Sequence, residues 1–187
     1  MLVTIVNKML KQLLSYTAYV AVSSVVVVGI FLYHKQTVAV TPVSQQGYGC
    51  VVHRVIDGDS VIAVCHTLSS QALSIRLRYI DAPELSQIPW GEDSKIALTT
   101  LLARQQNQTQ IRFNGQDVYQ RYLGELFVDG QSVNQTLVKR GKARVYRRYH
   151  PPPSYISAMQ TAKQQQLGIW QKPGLQQNPQ RYRRLEK

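Results

Sequence analysis

The hydrophobic and polar positions predict a compact domain in the second part of the chain. Strand-like apolar runs occur at 51–56, 60–64, 73–80, 110–113 and 122–128. Apolar residues at helical spacing, with Gly141 and Gly168 as stops, predict helices at 94–104, 132–140 and 154–167. Five short strands with a helix in the middle and helices at the end indicate an α+β fold, an OB-like barrel with about three helices.

The first part of the chain has a different pattern. Residues 12–33 contain no charge, and a helix of that length would cross the hydrocarbon core of a bilayer. Basic residues before this run favour an N-terminal side in the cytoplasm and a domain outside it. We therefore expect a transmembrane signal-anchor at 1–35 and a polar linker at 36–47. A cleaved signal peptide, which would release a secreted protein, and a buried core helix are the alternatives.

The charge of the chain favours a polyanionic partner. Lys and Arg total 22 against 10 for Asp and Glu, which gives a net charge of +12. Nucleic acid and anionic lipid both fit this surplus, and a merely solubilising surface is the alternative. Residues 173–187 are rich in Gln, Pro and Arg, so we expect a basic, loosely ordered tail. No protein partner can be inferred.

The two cysteines flank a predicted hairpin whose turn is Asp57-Gly58-Asp59. Cys50 lies eight residues before Gly58 and Cys65 lies seven after it, so the two should be near neighbours across the strands. In an exported domain this favours a disulfide, and two buried free thiols are the alternative.

Acidic and basic residues meet where predicted strands end. The run SIRLRYIDAPE at 74–84 alternates like a strand until Pro83, which has no N–H for a sheet ladder. Pairing of consecutive strands would bring Asp81 near Asp59 of the hairpin turn. Such a place suits a metal or a phosphate. Two carboxylates and a backbone carbonyl would form a hard-oxygen site for Ca²⁺ or another hard divalent ion, whereas no Cys/His spacing indicates zinc.

The order and spacing of five motifs resemble the thermonuclease-like (staphylococcal nuclease) family. The resemblance spans about residues 48–172, nearly all of the part that follows the linker. The motifs are VIDGDS at 55–60, IRLRYIDAPE at 75–84, DVYQRYLGELFVDG at 117–130, VNQTLVKRGKARVY at 133–146 and LGIW at 167–170.

The resemblance implies a role for eight residues. The Ca²⁺ ligands would be Asp59, Asp81 and the carbonyl of Ala82. The catalytic residues would be Arg76, Glu84 and Arg121, with the arginines on the phosphate and the glutamate as a base or water-ordering group. Tyr119 and Tyr149 would stack on a substrate base.

These roles imply a membrane-anchored, Ca²⁺-dependent endonuclease that acts outside the cytoplasm. By resemblance it cleaves P–O5′ bonds of DNA and RNA, leaves 3′-phosphorylated products and favours single strands. A non-catalytic, nuclease-like OB module that binds nucleic acid or proteins is the alternative. A basic, lipid-binding anchored protein would explain the charge but not the paired acids.

Overall fold

The computed structural model describes residues 47–103 and 109–186 of the 187-residue chain. Within these ranges no helix is both long enough and apolar enough to cross a membrane. The predicted anchor at 1–35 and nearly all of the predicted linker at 36–47 lie outside the described residues.

A closed, five-stranded β-barrel forms the centre of the described domain, as the sequence predicts. Its strands are β1 (Tyr48–Asp57), β2 (Ser60–Cys65), β3 (Ser69–Leu77), β5 (Thr109–Gln116) and β6 (Tyr122–Val128). Each strand pairs antiparallel with its neighbour in the order β3-β2-β1-β5-β6, and a parallel pairing of β3 with β6 closes the barrel. Apolar side chains that are inaccessible to solvent fill it, among them Val61, Ile75 and Ile111.

Short strands and helices surround the barrel. The short strands are β4 (Ile80–Asp81), β7 (Gln131–Ser132) and β8 (Arg144–Val145). The α-helices of the described residues are α1 (Trp90–Leu102), α2 (Val133–Lys139), α3 (Pro153–Gln164) and α4 (Pro179–Leu185). The first three correspond to the predicted helices, although α1 begins four residues earlier than predicted.

The early start of α1 follows from close packing at its first turn. A Cβ on Gly91 would lie 2.0 Å from the carbonyl oxygen of Glu84, so only glycine lets the helix begin against this backbone. The N–H of Gly91 also donates to the carbonyl of Gln87 at 3.0 Å. The helix thereby fixes the connection that carries Glu84.

Helix α2 ends as its glycine predicts. Gly141 has a φ of +65°, and the N–H of Lys142 donates to the carbonyl of Leu137 at 2.8 Å, which caps the C-terminus. At the other end, the hydroxyl of Ser132 accepts from the N–H of Gln135 at 3.2 Å. The buried side-chain amide of Asn134 donates to a carbonyl in the connection between β3 and β4 and to one in β6, and it accepts from an N–H of β6. These bonds tie α2 to the barrel.

Three strand ends converge at one end of the barrel. In the parallel pair of β3 and β6, Ile75 lies opposite Tyr122. Arg76 follows Ile75 and Arg121 precedes Tyr122, so the two arginines come to the same region. Asp81 of β4 pairs with Arg144 of β8, which carries the segment after β8 to this place as well. The acidic hairpin turn joins them, because the N–H of Leu77 donates to the carbonyl of Asp59 at 2.7 Å.

Cys50 and Cys65 are joined in a disulfide, with their Cα atoms 4.2 Å apart. The bridge links the start of β1 to the end of β2, which is the end of this hairpin opposite to the acidic turn. It closes the hairpin without contacting the convergent strand ends.

The segment after residue 172 differs from the loosely ordered tail that its composition predicts. It forms a short 3₁₀ turn at Leu175–Gln177 and then α4. Asn178 caps α4 by accepting from the N–H of Arg181, and the buried Gln176 donates to the carbonyls of Ile169 and Lys172. The order comes from these contacts with the domain, which composition does not reveal.

Candidate active site

A cleft of about 500 Å³ opens where the strand ends converge. Six of the eight residues singled out from the sequence line it, and the other two, Asp81 and Ala82, are buried behind its wall. The lining residues are Asp57, Asp59, Arg76, Glu84, Gln116, Asp117, Val118, Tyr119, Arg121, Tyr146, Arg148, Tyr149, Gln180 and Arg183.

A buried ion-pair network lies on one side of the cleft. Arg76 reaches Asp59 Oδ1 through Nη1 at 2.9 Å and Asp81 Oδ1 through Nη2 at 3.3 Å. Asp59 Oδ2 in turn accepts from the N–H of Ala82 at 2.7 Å. The two acids predicted to be close are therefore held by one guanidinium and by the backbone between them.

The environment of Asp59 disfavours its charge. Burial raises the pKa of this carboxyl to about 7, against the lowering effect of Arg76, and the nearby carboxylates of Asp57 and Asp81 raise it further. A bound cation would favour the ionised form of such a group. Asp59 is therefore suited to a site that binds a cation.

Asp81 has an oxygen without a partner. Its side chain is fully inaccessible to solvent, and Oδ2 forms no hydrogen bond within the described residues. Buried carboxylate oxygens are normally satisfied, so an unpaired one marks a place for an additional ligand. No group of three or more His, Cys, Asp or Glu side chains in the described ranges is arranged to hold a metal. The predicted set is smaller, two carboxylates and a carbonyl.

Glu84 lies in the connection between β4 and α1. Its N–H donates to the side-chain oxygen of Gln87 at 2.9 Å, and its carbonyl accepts from the N–H of Gln87 at 2.8 Å. Gln87 is buried, so these reciprocal bonds fix the backbone while the carboxylate of Glu84 stays partly exposed in the cleft. No motif or spacing in the sequence distinguishes Gln87.

A turn between β5 and β6 holds Arg121 on the other side of the cleft. Asp117 accepts from Nε of Arg121 at 2.9 Å and from its Nη2 at 2.8 Å, and also from the N–H groups of Tyr119 and Arg121. Burial would raise the pKa of Asp117, but these hydrogen bonds hold it below its ordinary value. Asp117 was missed as a site residue, although its i,i+4 spacing to Arg121 was visible.

Aromatic side chains stand at the mouth of the cleft. Tyr119 is 76% exposed, and the guanidinium of Arg121 lies 5.6 Å from its ring centre. Tyr149 packs edge-on against Tyr146, and its carbonyl accepts a bond from Arg78 at 3.4 Å. Burial raises the pKa of Tyr149 above its ordinary value, so the ring carries a neutral hydroxyl.

An arginine from α4 enters the cleft as well. Arg183 Nη1 donates to Glu84 Oε1 at 2.5 Å, and its Nη2 donates to Asp81 Oδ1 at 2.9 Å. Nothing in the local sequence distinguished this residue from the neighbouring basic residues of the tail. Its partners lie 99 and 102 positions away, so only the tertiary structure reveals the contact.

Comparison with known proteins agrees with this architecture. Residues 74–172 match the family described as "Staphylococcal nuclease homologue". A Haemophilus influenzae protein named "Uncharacterized endonuclease" is 34% identical over 127 residues, 68% of each chain. An Escherichia coli protein of the same name is 36% identical over 66% of this chain and 76% of its own. "Micrococcal nuclease" of Shigella flexneri is 31% identical over 73% of this chain and 80% of its own.

The barrel, the cleft and the similarity to these proteins together define the class of this protein, a hydrolase of phosphodiester bonds. The chain belongs to the staphylococcal nuclease family. It is a nuclease, and its substrate is nucleic acid.

Proposed function

We propose that this nuclease is a membrane-anchored, Ca²⁺-dependent endonuclease that does not discriminate between DNA and RNA and favours single strands. It cleaves the P–O5′ bond and leaves 3′-phosphorylated products. One observation carries the proposal: a fully buried Asp81 with an unpartnered oxygen lies beside Asp59, at the wall of a cleft lined by arginines and tyrosines.

The donor set fits a hard divalent cation. Asp59, Asp81 and the main-chain carbonyl of Ala82 would hold it, since Ca²⁺ prefers oxygen ligands of these kinds. The unsatisfied Oδ2 of Asp81 leaves an acceptor free for a cation, and a bound cation would favour the ionised form of Asp59, whose pKa is raised by burial. When bound, the cation supplies Lewis-acid polarisation of the phosphodiester oxygens.

Arg76 and Arg121 bind the phosphate that is attacked. A guanidinium presents two parallel N–H groups in one plane, which matches two phosphate oxygens better than an ammonium does. The arginines come from β3 and from the residue just before β6, two paired strands, and each is already held by a carboxylate. Such prior positioning lets them stabilise charge that develops during the reaction.

Glu84 receives a proton from the attacking water. Its carboxylate is partly exposed in the cleft, whereas its backbone is fixed by Gln87. A carboxylate held in this way is suited to act as a general base or to orient the water.

The base next to the cleaved bond stacks on tyrosine. Tyr119 and Tyr149 stand at the cleft and offer aromatic faces, which accept every base. Contacts to phosphate and to the faces of bases carry no information about the sugar, which explains why DNA and RNA would both be substrates.

The test compares cleavage of single-stranded DNA and RNA by the full chain in mild detergent with Ca²⁺, with Mg²⁺ and with chelator. It is repeated with Arg121→Ala, for which we expect a rate loss of about 10²–10³. We expect little change in folding, because the side chain of Arg121 is one-third exposed and Asp117 keeps its hydrogen bonds from two main-chain N–H groups. The matched control is Arg112→Ala, an exposed arginine of the barrel that lies over Phe127 outside the cleft.

Calcium-dependent cleavage that falls in Arg121→Ala but not in Arg112→Ala would support the assigned roles. Equal cleavage in chelator would remove the metal from the mechanism. DNA binding without cleavage under every condition would favour the non-catalytic module instead.

The anchor rests on different observations. Residues 12–33 carry no charge, and the Cys50–Cys65 disulfide suits an oxidising compartment outside the cytoplasm. We expect the chain to stay with membranes in alkaline carbonate and a C-terminal tag to react with an impermeant label on intact cells. A soluble, shortened chain would indicate cleavage and secretion.

A further inference from the structure

Helix α4 and the turn before it are fixed to the domain at two places. The hydroxyl of Tyr182 bonds to the hydroxyl of Ser86 at 3.1 Å, in the connection that also carries Glu84. Gln176, which is buried, ties the preceding turn to the carbonyls of Ile169 and Lys172. These contacts direct one face of a seven-residue helix toward the carboxylates.

Arg183 bridges two carboxylates of different character. It contacts Asp81, which is fully buried, and Glu84, which is partly exposed. The 2.9 Å distance to Asp81 is that of a charge-assisted hydrogen bond, and the contact with Glu84, at 2.5 Å, is shorter still. The guanidinium therefore spans the carboxylates that the proposed function assigns to the cation and to the water.

Without a bound cation, the acidic cluster needs Arg183. Asp81 cannot be buried as an anion without compensation, and Arg76 alone serves both Asp59 and Asp81. Arg183 adds a second positive charge on the same Oδ1 atom of Asp81. A divalent cation placed at this carboxylate would repel that guanidinium at short range.

We propose that Arg183 is an internal counter-ion of the metal site, so that Arg183 and the divalent cation compete for Asp81. The inference rests on the proposed function, in particular on a cation at Asp59 and Asp81. Cation binding releases Arg183 and its helix from the carboxylates, and the tail thereby sets the affinity of the site. By thermodynamic reciprocity, holding α4 in place weakens cation binding by the same factor as the cation weakens the docking of α4.

The decisive measurement is calcium affinity, followed by calorimetry on the full chain in mild detergent. We expect Arg183→Gln to bind Ca²⁺ more tightly, by roughly 5–150-fold, the usual range for coupled sites. Arg184→Gln is the matched control: it removes the same charge from the same helix, and the exposed side chain of Arg184 forms no hydrogen bond or ion pair within the described residues. Its affinity should stay within about twofold of the wild type, since an exposed charge is screened.

A second readout follows the tail itself by hydrogen exchange of Pro179–Leu185. In the wild type and in Arg184→Gln, Ca²⁺ should accelerate exchange in α4. In Arg183→Gln, exchange should already be fast without Ca²⁺ and should not change when it is added. This readout does not depend on cleavage.

The outcomes separate the two proposals. If the wild type binds Ca²⁺ and cleaves DNA, but Arg183→Gln binds Ca²⁺ no more tightly than Arg184→Gln, competition by Arg183 is wrong and the proposed function stands. Weaker binding by Arg183→Gln would make Arg183 a support of the site and would also overturn the inference. If no variant binds Ca²⁺ and cleavage proceeds in chelator, the metal site of the proposed function fails, and the inference fails with it.

Discussion

The two sides of the cleft hold their charges in different ways. On one side, Asp81 is 0% and Arg76 8% exposed, and their partners come from different strands. In the second region, the side chain of Arg121 is 33% exposed, and the carboxylate of Asp117 that holds it also accepts from two main-chain N–H groups of the same turn. The comparison indicates that the charges around Asp81 contribute to both folding and activity, whereas the charge of Arg121 contributes mainly to activity.

The largest expected effect is on the buried side. Arg76→Ala would leave Asp59 and Asp81 without the guanidinium that joins them, so we expect a loss of about 3–5 kcal/mol in the free energy of unfolding. Cleavage should fall as well. Urea unfolding together with a cleavage assay measures both, with Arg121→Ala as the comparison from the other side.

Equal unfolding free energies for Arg76→Ala and Arg121→Ala would contradict the distinction between the two sides. Arg112→Ala removes an exposed arginine of the barrel and gives the baseline change in the free energy of unfolding.

A smaller effect tests how the hairpin turn positions Asp59. A Cβ on Gly58 would lie 2.6 Å from the Cβ atoms of both Ala82 and Ser94, so Gly58→Ala must push the turn away from β4 and α1. We expect a loss of about 1–3 kcal/mol, the usual range for overpacking, and reduced cleavage because Asp59 moves. Thermal or urea unfolding and the cleavage assay report these changes.

Gly49→Ala is the matched control for that substitution, because the nearest atom to its Cβ, in Gln110, would lie at an ordinary 3.6 Å. If Gly58→Ala and Gly49→Ala behaved alike, the close approach of the turn to α1 would not be important for the site.

The smallest effect on stability is expected from the turn that holds Arg121. Asp117→Asn should lower cleavage roughly tenfold, because Arg121 loses charge-assisted hydrogen bonds that aim it. The pKa of Asp117 lies below its ordinary value of 3.8, so this carboxylate stabilises the fold above that pH, and the stabilisation is lost as the pH falls. The difference in unfolding free energy between wild type and variant should therefore shrink below about pH 4.

The control for this pH dependence is Glu92→Gln, an exposed acid on α1 whose side chain forms no hydrogen bond within the described residues. A difference for Asp117→Asn that grew toward acid pH would contradict the assigned sign.

Prediction from the sequence succeeded where local rules govern. The bounds of β6, Tyr122–Val128, agree with the predicted strand, and α2 ends at the glycine that was expected to stop it. It failed at α1, whose first residues pack on the backbone of Glu84, and at the tail, whose order depends on Gln176 and Arg183. Gln87 and Asp117 were missed because each acts by orienting another residue.

Patterns of neighbouring residues are enough to predict the barrel strands, the turns that end them and the acids and arginines near those ends. Alternation and turn chemistry are local, so they can be predicted from neighbouring positions. Which basic side chain pairs with each of these acids depends on the folded chain as a whole. Asp81 pairs with an arginine five residues before it and with another 102 residues after it, and no pattern of neighbours encodes the second contact. It arises because the folded chain brings a basic helix to a buried carboxylate that requires positive charge.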